Sequence, residues 1–419
     1  MSQWLQQVID RGQAIDDWLS PLRAQALDAL SNTKWPDRRV ENWKYTSLEP
    51  LVNLQLSGYA ATEKATIEKI DDLNSLDLVF VNGKLQSDIR ALPLPKGLHI
   101  SSLLNASVKD QNAATGLFTK IKPQRHLFGL INDALAEDGL IIDIDADSQI
   151  EQPIRIISIN TDGQESHHRI LLRLGSHARA TVIEQGQGEK ASFSTLFAEY
   201  DIGEQAYLEH YRLAMHTHQA IHIGGCHFNL QQRAELNTTM IAYGSDLSRM
   251  DIDIIHNGEY AKAKLNAVYL LGESEHFDLH STIEHKVANG TSEENARGIV
   301  GDKVKAVFNG RIHIHRDAQK TVAKLNNRNL LLSRRGQINT KPELEIYADD
   351  VQCAHGATIA EIDEGTLYYL RSRGISRSQA LVMLNFGFIQ ELVNEMPNQH
   401  LAQWLKPRLK SRFMEMEVK

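Results

Sequence analysis

From Met250 to Lys286 the chain reads MDIDIIHNGEYAKAKLNAVYLLGESEHFDLHSTIEHK, and this stretch decides the fold class. Within it MDIDIIH, LNAVYLL and FDLHSTIEH are rich in β-branched residues with short alternation, and glycine or polar turns part them. No segment long enough for a crossover helix lies between them, so a Rossmann-like doubly wound sheet is excluded. The pattern continues outward in both directions. LIIDID, PIRIISIN, HRILLRL, ATVIEQG, STLFAEYDIG, AYLEHYRL, HFNLQQ and LNTTMIAYG precede the stretch, and VKAVFNGRIHIH follows it. Two such strands per coil give a period of about 27 residues, in the range of stacked repeats. The pattern predicts a β-solenoid and leaves a sandwich or a pair of barrels open as alternatives.

Helical periodicity flanks this core. Trp4, Leu5, Val8, Ile15, Trp18, Leu19, Leu22, Ala26, Leu27 and Leu30 recur at three- and four-residue steps, with Pro21 placed to open a second helix. LVFVNGKL at Leu78 to Leu85 carries the Asn-Gly signal of a hairpin, and HLFGLINDALA at His126 to Ala136 is helix-like. Beyond Ile362, Ser376 and Gln379 form a capping box ahead of the stripe Leu381, Leu384, Phe388 and Leu392, and HLAQWLKPRLKSRF is basic and amphipathic. The expected division is a helix-rich N-terminal domain over 1–138, a β core over 139–362 and a C-terminal helical domain over 363–419.

Composition narrows the function. The 419 residues are 42% apolar and 23% charged, a globular balance. Lys plus Arg number 45 against 53 Asp plus Glu, a net charge of -8, so no overall field favours nucleic acid or an anionic membrane. No apolar run reaches the ~18 residues of a membrane span, and the first residues lack a signal peptide's pattern, so the expected compartment is the cytoplasm. Two cysteines, Cys226 and Cys353, make no disulfide framework. There is no GxxxxGK[ST] loop, no GxSxG elbow and no HExxH helix, so neither ATP hydrolysis nor a familiar hydrolase is expected.

Histidine is abundant, at 18 residues. His216 with His218, and His313 with His315, sit two apart and share a strand face, while His276, His280 and His285 lie on one polar segment. A stable site needs about three or four ligands, preferably with Cys or carboxylates converging from neighbouring strands, and linear spacing shows none of that. Asp251 and Asp253 are the acidic residues that a rival reading, a β-helix polysaccharide lyase or hydrolase, would use. The sharpest constellation is YADDVQCAHGAT from Tyr347 to Thr358. Cys353 and His355 project to one face of an extended strand, where a thiol and an imidazole can ligate iron or zinc.

ENWKYT at Glu41 to Thr46, FNGRIHIHRDAQKTVAKLNNRNLLLS at Phe308 to Ser333 and TKPELEIYADDVQCAHGATIAEIDEGTLYYLRSRGIS at Thr340 to Ser376 resemble the SufB/SufD family of iron-sulfur cluster assembly proteins, its SufD branch most of all. The resemblance implies a right-handed parallel β-helix between N- and C-terminal helical domains. It further implies a noncatalytic scaffold subunit that pairs with a SufB-type subunit through the β-helices and docks a SufC-type ATPase on the C-terminal helices, with Tyr369, Phe386 and Phe388 as docking candidates. Cys353 and His355 would be iron or nascent-cluster ligands at the SufB-facing interface. No cofactor is then expected to be held tightly by the isolated subunit, only transient iron or an iron-sulfur cluster in the complex, and a homodimer is the expected substitute for SufB pairing in isolation. SufB-type chains carry a cysteine in the segment matching Asn326 to Leu330, which has none here, so the principal sulfur-accepting thiol should be absent.

Overall fold

Strands alternate between two sheets, one of ten strands and one of nine, and each core strand bonds in parallel to the strand two places before it and two places after it. This is a right-handed parallel β-helix. The structure is a computed structural model that describes residues 3–56, 67–188, 191–217, 219–361 and 364–416. Stacked side chains lie one coil apart: Ser194 bonds His222, His167 bonds Thr195 and Thr238 bonds His210, each pair 28 residues apart.

The inward row of each strand builds the lumen core, as Ile252 and Ile254 do against Leu265, Ala267, Leu279 and Ile283. The outward row is also covered over much of its length. Helices Gln3–Gln13, Ser20–Ser31 and Leu127–Leu135 pack on the nine-stranded sheet at Phe193, Phe197, Ile221, Ile223 and Leu247. On the ten-stranded sheet, Gly387–Asn394 and Gln399–Glu415 cover Ile183, Leu213, Ile241, Val268, Leu270 and Ile299. Strands buried on both faces lose polar alternation, which is why AVYLL and RILL read as continuous apolar runs.

Each coil turns one corner on a residue in the left-handed region: Asp147, His177, Gln205, Arg233, Tyr260, Asn289 and Lys320, with φ of 54–65°. The corner N–H donates to the next coil, Gln205 to the Gln232 carbonyl and Arg233 to the Glu259 carbonyl. None of the seven is glycine. The corner demands a backbone shape rather than a residue type, so the structural repeat leaves little trace in the residues themselves.

The Asn-Gly hairpin is present: Asn82 and Gly83, both at positive φ, join Leu76–Val81 to Lys84–Leu85. Leu76–Val81 also pairs in parallel with Ile154–Asn160, and Leu98–Ser102 pairs antiparallel with Asp138–Ile144. Residues within 1–138 therefore extend both sheets at the N-terminal end. His218 and the expected boundary at 362–363 lie outside the described residues. The Ser376 hydroxyl accepts from the Gln379 N–H at 3.2 Å, the capping box read from the sequence.

Candidate functional site

At the C-terminal end of the β-helix, Gln337–Ile346 and Gln352–Glu361 are the outermost strands of the two sheets, and each pairs along one edge only among the described residues. Register places Cys353 beside Ala323 and His355 beside Leu325. Ala323 and Leu325 belong to the lumen core, so Cys353 and His355 share the inward row of the last strand. Among the described residues no further coil covers that row. Cys353 is half-buried against the core and His355 is exposed. Partial burial pushes the Cys353 thiol up, with a backbone hydrogen bond at Ala323 opposing it.

The same end exposes Ile346, Tyr347 and Ile359, with Tyr347 at 62%. Tyr347 lies 5.4 Å from the ring of His313, which stacks on His315 at 4.3 Å. Two unpaired strand edges with apolar side chains between them form a surface that invites strand addition. Cys353 and His355 supply two ligands to it. Neither joins a group of three potential ligands among the described residues.

Cys226 has a different environment. It faces the lumen with Glu184, His210, Arg212 and Tyr200, all buried. Glu184 accepts from Tyr200 at 2.6 Å, His210 at 2.8 Å, Cys226 at 3.4 Å and the Arg212 guanidinium. Burial would raise its pKa, yet Arg212, with His210 and Tyr200, holds it down at about 2. Burial, with Glu184 close by, drives the Cys226 thiol well up. Glu184, His210 and Cys226 are spaced as metal ligands are, but the Arg212 guanidinium already fills a cation's place, so this cluster is structural.

The other residues singled out from the sequence are dispersed. Tyr369 is 52% exposed beside the more exposed Tyr368 on helix Glu364–Ser372. Phe386 is buried with its ring 6.4 Å from Phe413, so it packs the C-terminal domain, and Phe388 is half-buried beneath the Arg297 guanidinium at 5.2 Å. His276 bonds Thr46 and His280 pairs with Asp278, while His285 points into the lumen and contacts His256 at 4.2 Å. The ENWKYT residues clamp the nine-stranded sheet: Arg249 lies 4.1 Å over Trp43, and Thr46 donates to Asp278 at 2.6 Å. Asp251 and Asp253 are buried beneath this segment and paired with Arg249, Arg125 and His126. They are not an open pair of catalytic acids.

Comparison with known proteins matches residues 157–388 to the family described as SUF system FeS cluster assembly, SufBD core domain, and residues 5–156 to the SufBD protein N-terminal region. The chain is 31% identical over 404 residues to iron-sulfur cluster assembly protein SufD of Escherichia coli K12, covering 94% of this chain and 93% of that protein. It is 23% identical over 411 residues to SufD of Bacillus subtilis 168, covering 93% and 92%. SufB of the same Bacillus strain is 22% identical over 392 residues, covering 92% of this chain and 83% of its own length.

Proposed function

Because this chain belongs to the SufBD family of iron-sulfur cluster assembly proteins, we propose that it is a noncatalytic SufD-type scaffold subunit whose open β-helix end pairs with a SufB-type subunit. The carrying observation is that end itself, with two strand edges that pair with nothing further among the described residues, exposed Tyr347 and Ile359, and Cys353 and His355 on the inward row of the last strand. An iron-sulfur cluster is usually held by about four ligands, so the two here need completion from a partner. The cluster or its iron is cargo of the assembly, held transiently, and the isolated subunit binds no cofactor tightly.

The C-terminal helical domain docks a SufC-type ATPase, with Tyr369, Tyr368 and Met383 as the exposed anchors. The complex works in the cytoplasm. In isolation the same strand edges pair with a second copy, giving a homodimer.

Co-expression with SufB-type and SufC-type partners tests both surfaces at once. Ile359→Glu places a charge on the open end and is expected to weaken SufB-type binding at least tenfold while SufC-type binding persists. Tyr369→Glu is expected to do the reverse. Retention of both partners by both variants contradicts the assignment of these surfaces.

A further inference from the structure

A second group of potential ligands lies far from the open end, where the N-terminal segment meets the nine-stranded sheet. His227 and Asp253 are register partners on the adjacent strands Ala220–Leu230 and Leu247–His256. His126 reaches the same point from the residue preceding helix Leu127–Leu135. One oxygen of Asp253, Oδ2, lies 2.7 Å from His126 Nε2 and 2.8 Å from His227 Nδ1. The three ligand atoms lie within 4.8 Å of one another, and His227 and Asp253 are buried.

The surroundings are those of a built site. Asp251 Oδ2 stands 3.4 Å from His126 Nδ1, the position from which a carboxylate fixes a ligating imidazole and turns its other nitrogen inward. Arg249 in turn holds Asp251 at 3.0 Å. Three carboxylates, Asp251, Asp253 and Asp278, face two guanidiniums, Arg125 and Arg249; Arg125, with its side chain 45% exposed, meets Asp253 through Oδ1 and leaves Oδ2 to the two imidazoles, whereas Arg212 at Glu184 is fully buried. Beside it opens a cavity of about 270 Å³ lined by Trp43, Arg125, His126, Asp251 and His280.

We propose that His126, His227 and Asp253 bind one divalent first-row transition-metal ion such as zinc, with Asp251 positioning His126 and the cavity giving access to a fourth coordination position. Two imidazoles and a carboxylate suit such an ion, and bonds of about 2.0 to 2.2 Å set tetrahedral ligands roughly 3.3 Å apart. The carboxylate oxygen need move only about half an ångström from each ring as the ion replaces the shared protons. Bound there, the ion ties His126 of the N-terminal segment to two coils of the β-helix.

The test uses untagged full-length chain, zinc in equilibrium dialysis and cobalt(II) as the spectroscopic probe. The expected result is one equivalent of zinc at micromolar or tighter affinity, and a tetrahedral cobalt spectrum without a thiolate charge-transfer band. Asp253→Asn and His126→Ala should each weaken binding at least tenfold, Asp251→Asn by about tenfold, and the Cys353→Ser, His355→Ala double variant should bind as the parent does. Absence of zinc binding in the parent chain, a thiolate band in its cobalt spectrum, or unchanged binding in folded Asp253→Asn and His126→Ala overturns the proposal. The parent spectrum decides the matter even where a substitution prevents folding.

Discussion

Arg212→Met is expected to destabilise the chain by about 3 to 5 kcal/mol, read as a lower midpoint in chemical unfolding. Arg212 is 1% exposed, and its guanidinium meets both the Glu184 carboxylate and, at 3.0 Å, the His222 Nε2. Methionine approximates its volume but leaves Glu184 ionised and uncompensated in the lumen, where the remaining donors, Tyr200, His210 and Cys226, cannot replace a full charge. The control is Arg212→Met with Glu184→Gln, which removes the stranded charge and should recover much of the loss. A single-variant loss below about 1 kcal/mol, the scale of an ordinary substitution, contradicts the reading of Arg212 as the counter-ion.

Acid should weaken the fold before the ion-paired carboxylates Glu184 and Asp278 titrate, with Glu294, which burial raises to about 7, taking up its proton in the folded state and offsetting part of the loss. Burial, with Arg212 adding to it, holds His168 and His216 at about 3, and burial holds His285 at about 4. His222 and His256 are likewise pushed well below their ordinary value, by burial first and by a neighbouring histidine second, His216 beside His222 and His285 beside His256. In the unfolded chain these rings titrate near 6.5. Between those values the unfolded state binds more protons than the folded one. Stability is therefore fully present above about pH 6.5 and lost as pH falls through the window, with each ring contributing up to about 1.4 kcal/mol per pH unit. Glu184 and Asp278, both held near 2, add a second loss that begins only below the unfolded carboxylate value. The expected thermal midpoint is steady from pH 7 to 8 and falls steeply from about pH 6.5 to 4.5. A midpoint unchanged down to pH 5 would show that these rings are not held neutral.

Those buried histidines also mark where sequence reading stops. The strands through Met250 to Lys286 were legible because their inward rows are apolar except for Ser281 and, at the strand ends, His256 and His285. Thr291–Val300 and Val322–Leu331 were not, since their inward rows carry Glu294, Asn327 and Asn329. Glu294 Oε1 accepts from Ser281 at 2.6 Å, with burial raising the carboxyl to about 7, and Asn327 and Asn329 bond each other at 2.7 Å with Tyr269 beside them. Pattern reading assumes an apolar interior, and it fails where hydrogen bonds replace that requirement.

The candidate site divides in the same way. A shared face for Cys353 and His355 follows from their spacing of two. The asymmetry between them, a half-buried thiol and an exposed imidazole, depends on how far the core beneath reaches, and no local pattern carries that. Phe386 and Phe388 read as anchors or as core from the sequence alone, and only packing against Phe413 and Arg297 separates them from the exposed Tyr369. His227 and Asp253 stand 26 residues apart, about one coil, so the repeat length would have paired them. His126 lies outside the coils, and no period points to it.

Iron and acid-labile sulfide per assembled complex, isolated from cells carrying His355→Ala, test most directly the proposal that the open end helps to hold iron or a nascent cluster. His355 is exposed, so its loss removes little packing, and stability should stay within about 0.5 kcal/mol of the parent. Subunit assembly should be intact. The account predicts an assembled complex that has lost most of its iron and sulfide, with Cys353→Ser the same or milder. An assembled His355→Ala complex with undiminished iron and sulfide contradicts it.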